Sequence, residues 1–229
     1  MQEIKTCFEK EFWRAAFAEL KNVRSIVLCA LFVALRIAVK SLRIPIVPGT
    51  VYVTFDFIVN SLGAMIYGPL LGLLGGAVSD TVGALVFPTG PYFFPYIFVE
   101  MTSAFLFGLF FYRAHLSATR VILARFSVSV VCNLLMTPAI MLWQKSLLGE
   151  QYAFFSLARV IKNVALLPLE SVILVIFLGA ISLPLARLGL VASSNSKIKL
   201  KATNIAMLAA LTVFAAVGVL LYLLYKGKL

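Results

Sequence analysis

Residues 55–87 read FDFIVNSLGAMIYGPLLGLLGGAVSDTVGALVF. Two apolar runs, 55–67 and 70–87, meet at the dipeptide Gly68-Pro69, a pair that punctuates helices and marks a tight turn. Asp56 and Asp80 are the charged side chains of the stretch. Each run is therefore expected to be a helix in the membrane, with a short first arm. A bilayer-spanning helix needs roughly 20 apolar residues, so 55–67 should be tilted, partly buried in protein, or extended through 51–54. Together the arms could also form a re-entrant pair.

The same texture extends outward. Apolar runs at 23–39, 93–112, 121–143 and 160–183 complete six spans, and 205–225 supplies a seventh. The chain of 229 residues is 62% hydrophobic and 13% charged, with a mean hydropathy of +1.03. Soluble domains hold about 45–50% apolar and about 25% charged residues, so the bilayer is the expected solvent. The fold class is an all-α integral membrane protein. Its expected organisation is an amphipathic cytoplasmic segment at 1–22, a six-helix membrane domain at 23–190, and a linker with an extra transmembrane helix at 191–229. Within the first segment, Phe8, Phe12, Ala16 and Leu20 recur at helical spacing, as in a helix lying on the membrane surface. Glu3, Glu9, Glu11 and Glu19 are not what a cleavable signal peptide carries there.

The net charge of +11 could suggest nucleic acid, but the cations sit between the apolar runs, where they orient a membrane protein. Lys5, Lys10, Arg14, Lys21 and Arg24, then Arg113, Arg120 and Arg125, then Arg187, Lys197, Lys199 and Lys201 fall on one side. The smaller set Lys40, Arg43, Lys145, Arg159, Lys162, Lys226 and Lys228 falls on the other. The positive-inside rule makes the N-terminus cytoplasmic.

Ionisable groups inside a bilayer are costly and usually functional. Here they are Arg36, Asp56, Asp80, Glu100 and Glu170, and the topology puts four of the five in the outer half. A set of internal ion pairs, such as Arg36 with Asp56, is the structural explanation. A polar cavity open to the outside is the functional one. In the sixth span Arg159, Asn163 and Glu170 share a helical face, with Lys162 beside it.

Two outer loops add to this constellation. The third-to-fourth loop reads Phe87-Pro88-Thr89-Gly90-Pro91-Tyr92-Phe93-Phe94-Pro95, stiffened by proline and lined by three consecutive aromatics. The first, 43–49, supplies Arg43 as a cation. Rings for stacking, carboxylates to accept N–H bonds and cations to hold an anion suit a flat nitrogen heterocycle with a carboxylate tail. The candidate substrate-binding residues are Arg43, Asp56, Asp80, Pro91, Tyr92, Phe93, Phe94, Arg159, Lys162, Asn163 and Glu170. Belt aromatics and helix caps would explain the loops without a ligand. Ala30, Ala34 and Ala38 recur every four residues and would let another helix approach.

Catalysis and metal binding find no support. No G-x-x-x-x-G-K-[ST] or H-E-x-x-H occurs, and His115, the one histidine, falls in a cytoplasmic loop. Cys7, Cys29 and Cys132 form no C-x-x-C pair. No catalytic residue, metal ligand or resident cofactor is assigned.

Arg43-Ile44-Pro45-Ile46, Tyr52-Val53-Thr54-Phe55, Tyr67-Gly68-Pro69, Gly75-Gly76-Ala77-Val78-Ser79-Asp80, Phe87-Pro88-Thr89-Gly90 and Phe93-Phe94-Pro95 together resemble the substrate-binding (S) components of energy-coupling-factor (ECF) vitamin transporters, most closely the folate type. The resemblance covers about residues 26–185. It implies a six-helix S-component bundle, to which 205–225 would be an appended helix, and a vitamin pocket opening outward beneath the third-to-fourth loop. It implies a transmembrane coupling (T) protein as partner, with two cytoplasmic ATPases that use ATP, in the cell membrane of a prokaryote. Ala30 and Ala34 match the helix-one alanines that face the T protein in this family, with Ala38 closest to the outside. Besides folate, another vitamin or precursor remains open as substrate, and a stand-alone ion-coupled transporter is the alternative from another class.

Overall fold

The computed structural model describes residues 7–42, 44–47, 51–88, 92–148, 157–191, 204–206, 208–210, 212, 213 and 217. Its elements run α1 (Lys10–Glu19), α2 (Val23–Ser41), β1 (Ile44–Val47), β2 (Val51–Val53), α3 (Asp56–Val86), α4 (Tyr96–Phe111), α5 (Ala118–Val128), a π-helical segment (Ser129–Met136), α6 (Thr137–Leu148) and α7 (Leu157–Arg187). The chain forms two compact units. One comprises Met1–Leu116 with Phe177–Lys197, the other Ser117–Ile176 with Ile198–Leu229.

In the first unit, α3 folds back on itself. Gly68 adopts φ 85° and ψ −179°, a conformation closed to L side chains. Pro69 follows, its fixed φ suited to opening the next helix. The reversal shows in what each arm meets along α4. Asn60 on the first arm donates to Ser103 at 3.1 Å, Gly68 lies against Tyr112, Gly72 returns to Ala104 and Gly76 to Glu100. The first arm, 56–67, is about 18 Å long at 1.5 Å per residue, too short for the hydrocarbon core. Asn60, Ser61, Leu62, Gly63 and Ala64 are all buried, so protein rather than lipid covers it. Of the expectations for this arm, burial in protein holds. Extension through 51–54 does not, because Val51–Val53 pairs antiparallel with Ile44–Val47 in a two-stranded hairpin. That hairpin is also the one departure from an all-helical reading among the described residues.

The second arm meets α4 almost backbone to backbone. A Cβ added at Gly108 would stand 2.4 Å from Pro69 Cα, and one at Gly76 2.8 Å from the Glu100 carbonyl oxygen. Small residues at four-residue intervals permit such contact where lipid offers no hydrophobic drive.

α1 was expected on the membrane surface through its Phe12 face. Instead Phe12 and Ala16 are buried against Tyr112, with Trp13, Leu70 and Leu109 around them. Phe12 and Ala16 of the stripe thus face protein, while Phe8, ahead of the helix, is exposed. Between α1 and α2 the axis bends by 76°. At this elbow, Glu19 accepts from Tyr112 Oη at 2.9 Å and from Ser25 Oγ, and Arg113 stands 3.5 Å away. Arg24 donates to the Leu188 carbonyl at 3.4 Å. The N-terminal segment, the loop after the fourth span and the end of the sixth therefore meet at one end of this unit, as the distribution of cations implies.

The second unit holds the fifth span, a continuous run from α5 to α6. Pro138 lacks an N–H and its ring crowds the carbonyl one turn back. The widened turns of Ser129–Met136 accommodate it, and Thr137 Oγ1 donates to the Cys132 carbonyl at 2.7 Å. By length and composition, Ala118–Leu147 and Leu166–Arg187 can cross a membrane, as can α1 and α2 taken as one bent pair and the run Asp56–Val86 taken as a whole, although that run reverses at Gly68. The seventh span falls largely outside the described residues. Those described from 204 to 217 are helical.

Candidate functional site

The polar residues of the first unit gather at the end opposite the elbow. Arg36 and Lys40 lie one turn apart on α2 and reach the same carboxylate. Arg36 forms an ion pair with Glu100, and Lys40 Nζ lies 2.6 Å from Glu100 Oε1. The expected partner of Arg36, Asp56, is not its partner. Asp56 instead opens α3, where a carboxylate favours the positive end of the helix. Arg36 is 4% exposed, so its charge needs this compensation.

Beside the triad lies a cavity of about 470 Å³, within the usual range for small-molecule sites. α2 contributes Ile37, Lys40 and Ser41, α3 contributes Asp80, Gly83, Ala84 and Val86, and Phe87 and Pro88 complete the wall. It thus holds one carboxylate and one ammonium. The contact of Gly76 with Glu100 aligns the second arm so that Asp80, one turn on, stands at this wall. Tyr92 Oη lies 3.4 Å from Asp80 Oδ2 and 3.4 Å from Thr81 Oγ1. Tyr92 and Phe94 are exposed. Phe94 packs edge-on against Phe98 at 6.0 Å, and Phe93 against Tyr96 at 6.2 Å.

Of the expected site, the structure thus brings Asp80 and Tyr92 together, while Phe93 and Phe94 pack against Tyr96 and Phe98 at the start of α4. Arg43 and Pro91 lie outside the described residues. Arg159 and Lys162 take positions in α7, with side chains outside the described set, and Asn163 is half-buried there. Glu170 is engaged differently from the expectation. Both it and Arg125 are buried, and Arg125 pairs with it through Nη2 and through Nε at 2.7 Å. Arg125 was expected in a cytoplasmic loop. It lies inside α5, which Ser117 caps and which begins at Ala118, three residues ahead of the expected start of the span. The Glu170 carboxylate is therefore held by Arg125 through Oε2.

Lys40 was missed as a site residue. Its signal was present, since Arg36 and Lys40 at i and i+4 share a helical face.

Helices of membrane-spanning length, a helical hairpin with one short, protein-covered arm and a cavity with charged side chains at one end describe a multi-pass membrane protein. Residues 20–187 match the sequence profile of the ECF-type riboflavin transporter, S component. The chain belongs to this family of transport subunits, which are not enzymes. It is 29% identical over 158 residues to folate transporter FolT of Clostridium novyi, covering 68% of this chain and 88% of that one. Folate transporter FolT of Leuconostoc mesenteroides is 29% identical over 152 residues, covering 65% and 81%. Among solved structures, a crystal structure of FolT bound with folic acid matches with a TM-score of 0.57 and 30% identity over 66% of this chain and 89% of that one.

Proposed function

We propose that this S component captures folate from the outer face of a prokaryotic cell membrane, with its N-terminus cytoplasmic. The observation that carries the reading is the likeness, in fold and at 30% identity, to a chain crystallised with folic acid. The site chemistry supports it. Exposed Tyr92 and Phe94 offer faces for a pterin ring, Asp80 can accept its N–H groups, and Lys40, which lines the cavity while pairing with Glu100, can add a second contact to the glutamate carboxylates. Arg43, Asp56, Pro91, Phe93, Arg159, Lys162 and Asn163 stay on the list of ligand contacts. Glu170 leaves it, because Arg125 already holds its carboxylate. Uptake is energised by a T protein and two ATPases. Ala30 and Ala34 are exposed on α2 and fit the face on which that T protein would dock.

The description of the matching family favours riboflavin as the second reading. Calorimetric titration of the purified chain in detergent with folate, riboflavin and thiamine decides between them. Saturable binding of folate alone is expected. Riboflavin binding alone would move the substrate to the second reading, and no binding of any of the three would return it to another vitamin or precursor.

A further inference from the structure

α1 has two faces. Phe12, Ala16 and Glu19 are buried against the protein. Lys10, Arg14 and Phe17, at i, i+4 and i+7, form the opposite stripe, and Lys21 follows in the turn beyond the helix. All four are exposed, Phe17 by 58%. A purely solvated face would have no use for a bare phenylalanine among three cations. The boundary between headgroups and acyl chains accommodates both.

The depth of α1 supports the same conclusion. On the outer surface of α2, Val23, Val27 and Leu31 recur every four residues and are 72%, 61% and 62% exposed. Hydrocarbon therefore begins at about Val23, and the headgroup layer falls at Lys21 to Arg24. The 76° elbow turns α1 from the crossing direction of α2 toward the membrane plane at that level. Glu11, one turn before Arg14, and Glu9, the N-cap beside Lys10, are the acidic residues next to the stripe.

We propose that the Lys10–Arg14–Phe17–Lys21 stripe of α1 is a docking surface for anionic phospholipid headgroups of the adjacent leaflet. It is independent of the vitamin site and concerns the opposite end of the unit. The charges complement the lipid, and the burial of Phe12 and Ala16 holds the stripe outward.

The full chain carrying Trp143→Phe leaves Trp13, which packs between Phe12 and Phe105 beside the stripe, as the sole tryptophan. In neutral detergent micelles its emission is followed while phosphatidylglycerol, phosphatidylcholine or inorganic phosphate is added. Phosphatidylglycerol should give a saturating shift that high salt weakens, and the other two should not. Replacing Lys10, Arg14 and Lys21 together by Gln should raise the midpoint about a hundredfold, at about fivefold per cation. Arg14→Lys should leave it unchanged. An equal response to phosphatidylcholine, a response to inorganic phosphate alone, or an unmoved midpoint in the triple variant would overturn the proposal. So would photo-crosslinks from position 17 in native membranes that go to protein rather than lipid.

Discussion

Two carboxylates read alike in the sequence, Asp80 and Glu170, have different surroundings. Asp80 faces a cavity with Lys40, so Asp80→Asn should weaken folate binding by about tenfold or more, the low end of a charged hydrogen bond. Calorimetry checks this, and unchanged affinity would remove Asp80 from the site. Glu170 is bound to Arg125 where both are buried, so Glu170→Gln should leave an unpaired cation and cost about 3–5 kcal/mol of stability. Replacing the pair by Arg125→Met with Glu170→Leu should recover much of that loss in a thermal melt. A Glu170→Gln protein that melts normally but fails to bind folate would restore the residue to the ligand. The sequence showed which residues were expensive to bury, since any charge in an apolar run is conspicuous. It did not show the partners. Arg36 meets Glu100, a residue 64 positions away, through the packing of two helices, and no local spacing encodes that choice.

At the scale of elements, what was legible was whatever the backbone itself demands. Gly68-Pro69 announced the reversal because a glycine at positive φ followed by a proline has few other uses. The strands at Ile44–Val47 and Val51–Val53 were not legible, since Pro45 gives the first the look of a loop and the short second could pass for an extension of the helix that follows. The start of α5 was set three residues too late, and Arg125 was counted with the loop cations although it fell within the expected span and is a buried helical residue. The close crossing of α3 and α4 gives a sharp test. Gly108→Ala would put a methyl 2.4 Å from Pro69 Cα, where only backbone can yield. It should destabilise the protein by at least the about 1–3 kcal/mol of an overpacked core. Gly83→Ala, whose Cβ would meet only Ile37 at 3.9 Å, should be nearly silent in the same melt.

For the whole molecule, composition settled the solvent and the distribution of cations predicted which segments share an end. The elbow contacts of Glu19 with Tyr112 and of Arg24 with Leu188 join those segments. Cys7 offers a test of orientation, because it is partly exposed while Cys29 and Cys132 are buried. A membrane-impermeant thiol reagent should label Cys7 in inside-out vesicles and not in intact cells, and the reverse pattern would invert the topology. The glycine contacts between α3 and α4 also have a mechanical meaning. Side chains cushion most helix pairs and absorb small displacements by changing rotamer. Between Gly76 and Glu100, and between Gly108 and Pro69, no such cushion exists. The two helices should move as one stiff bar, so a displacement at the Asp80 end would be felt at Tyr112 and, through its hydrogen bond to Glu19, at the elbow.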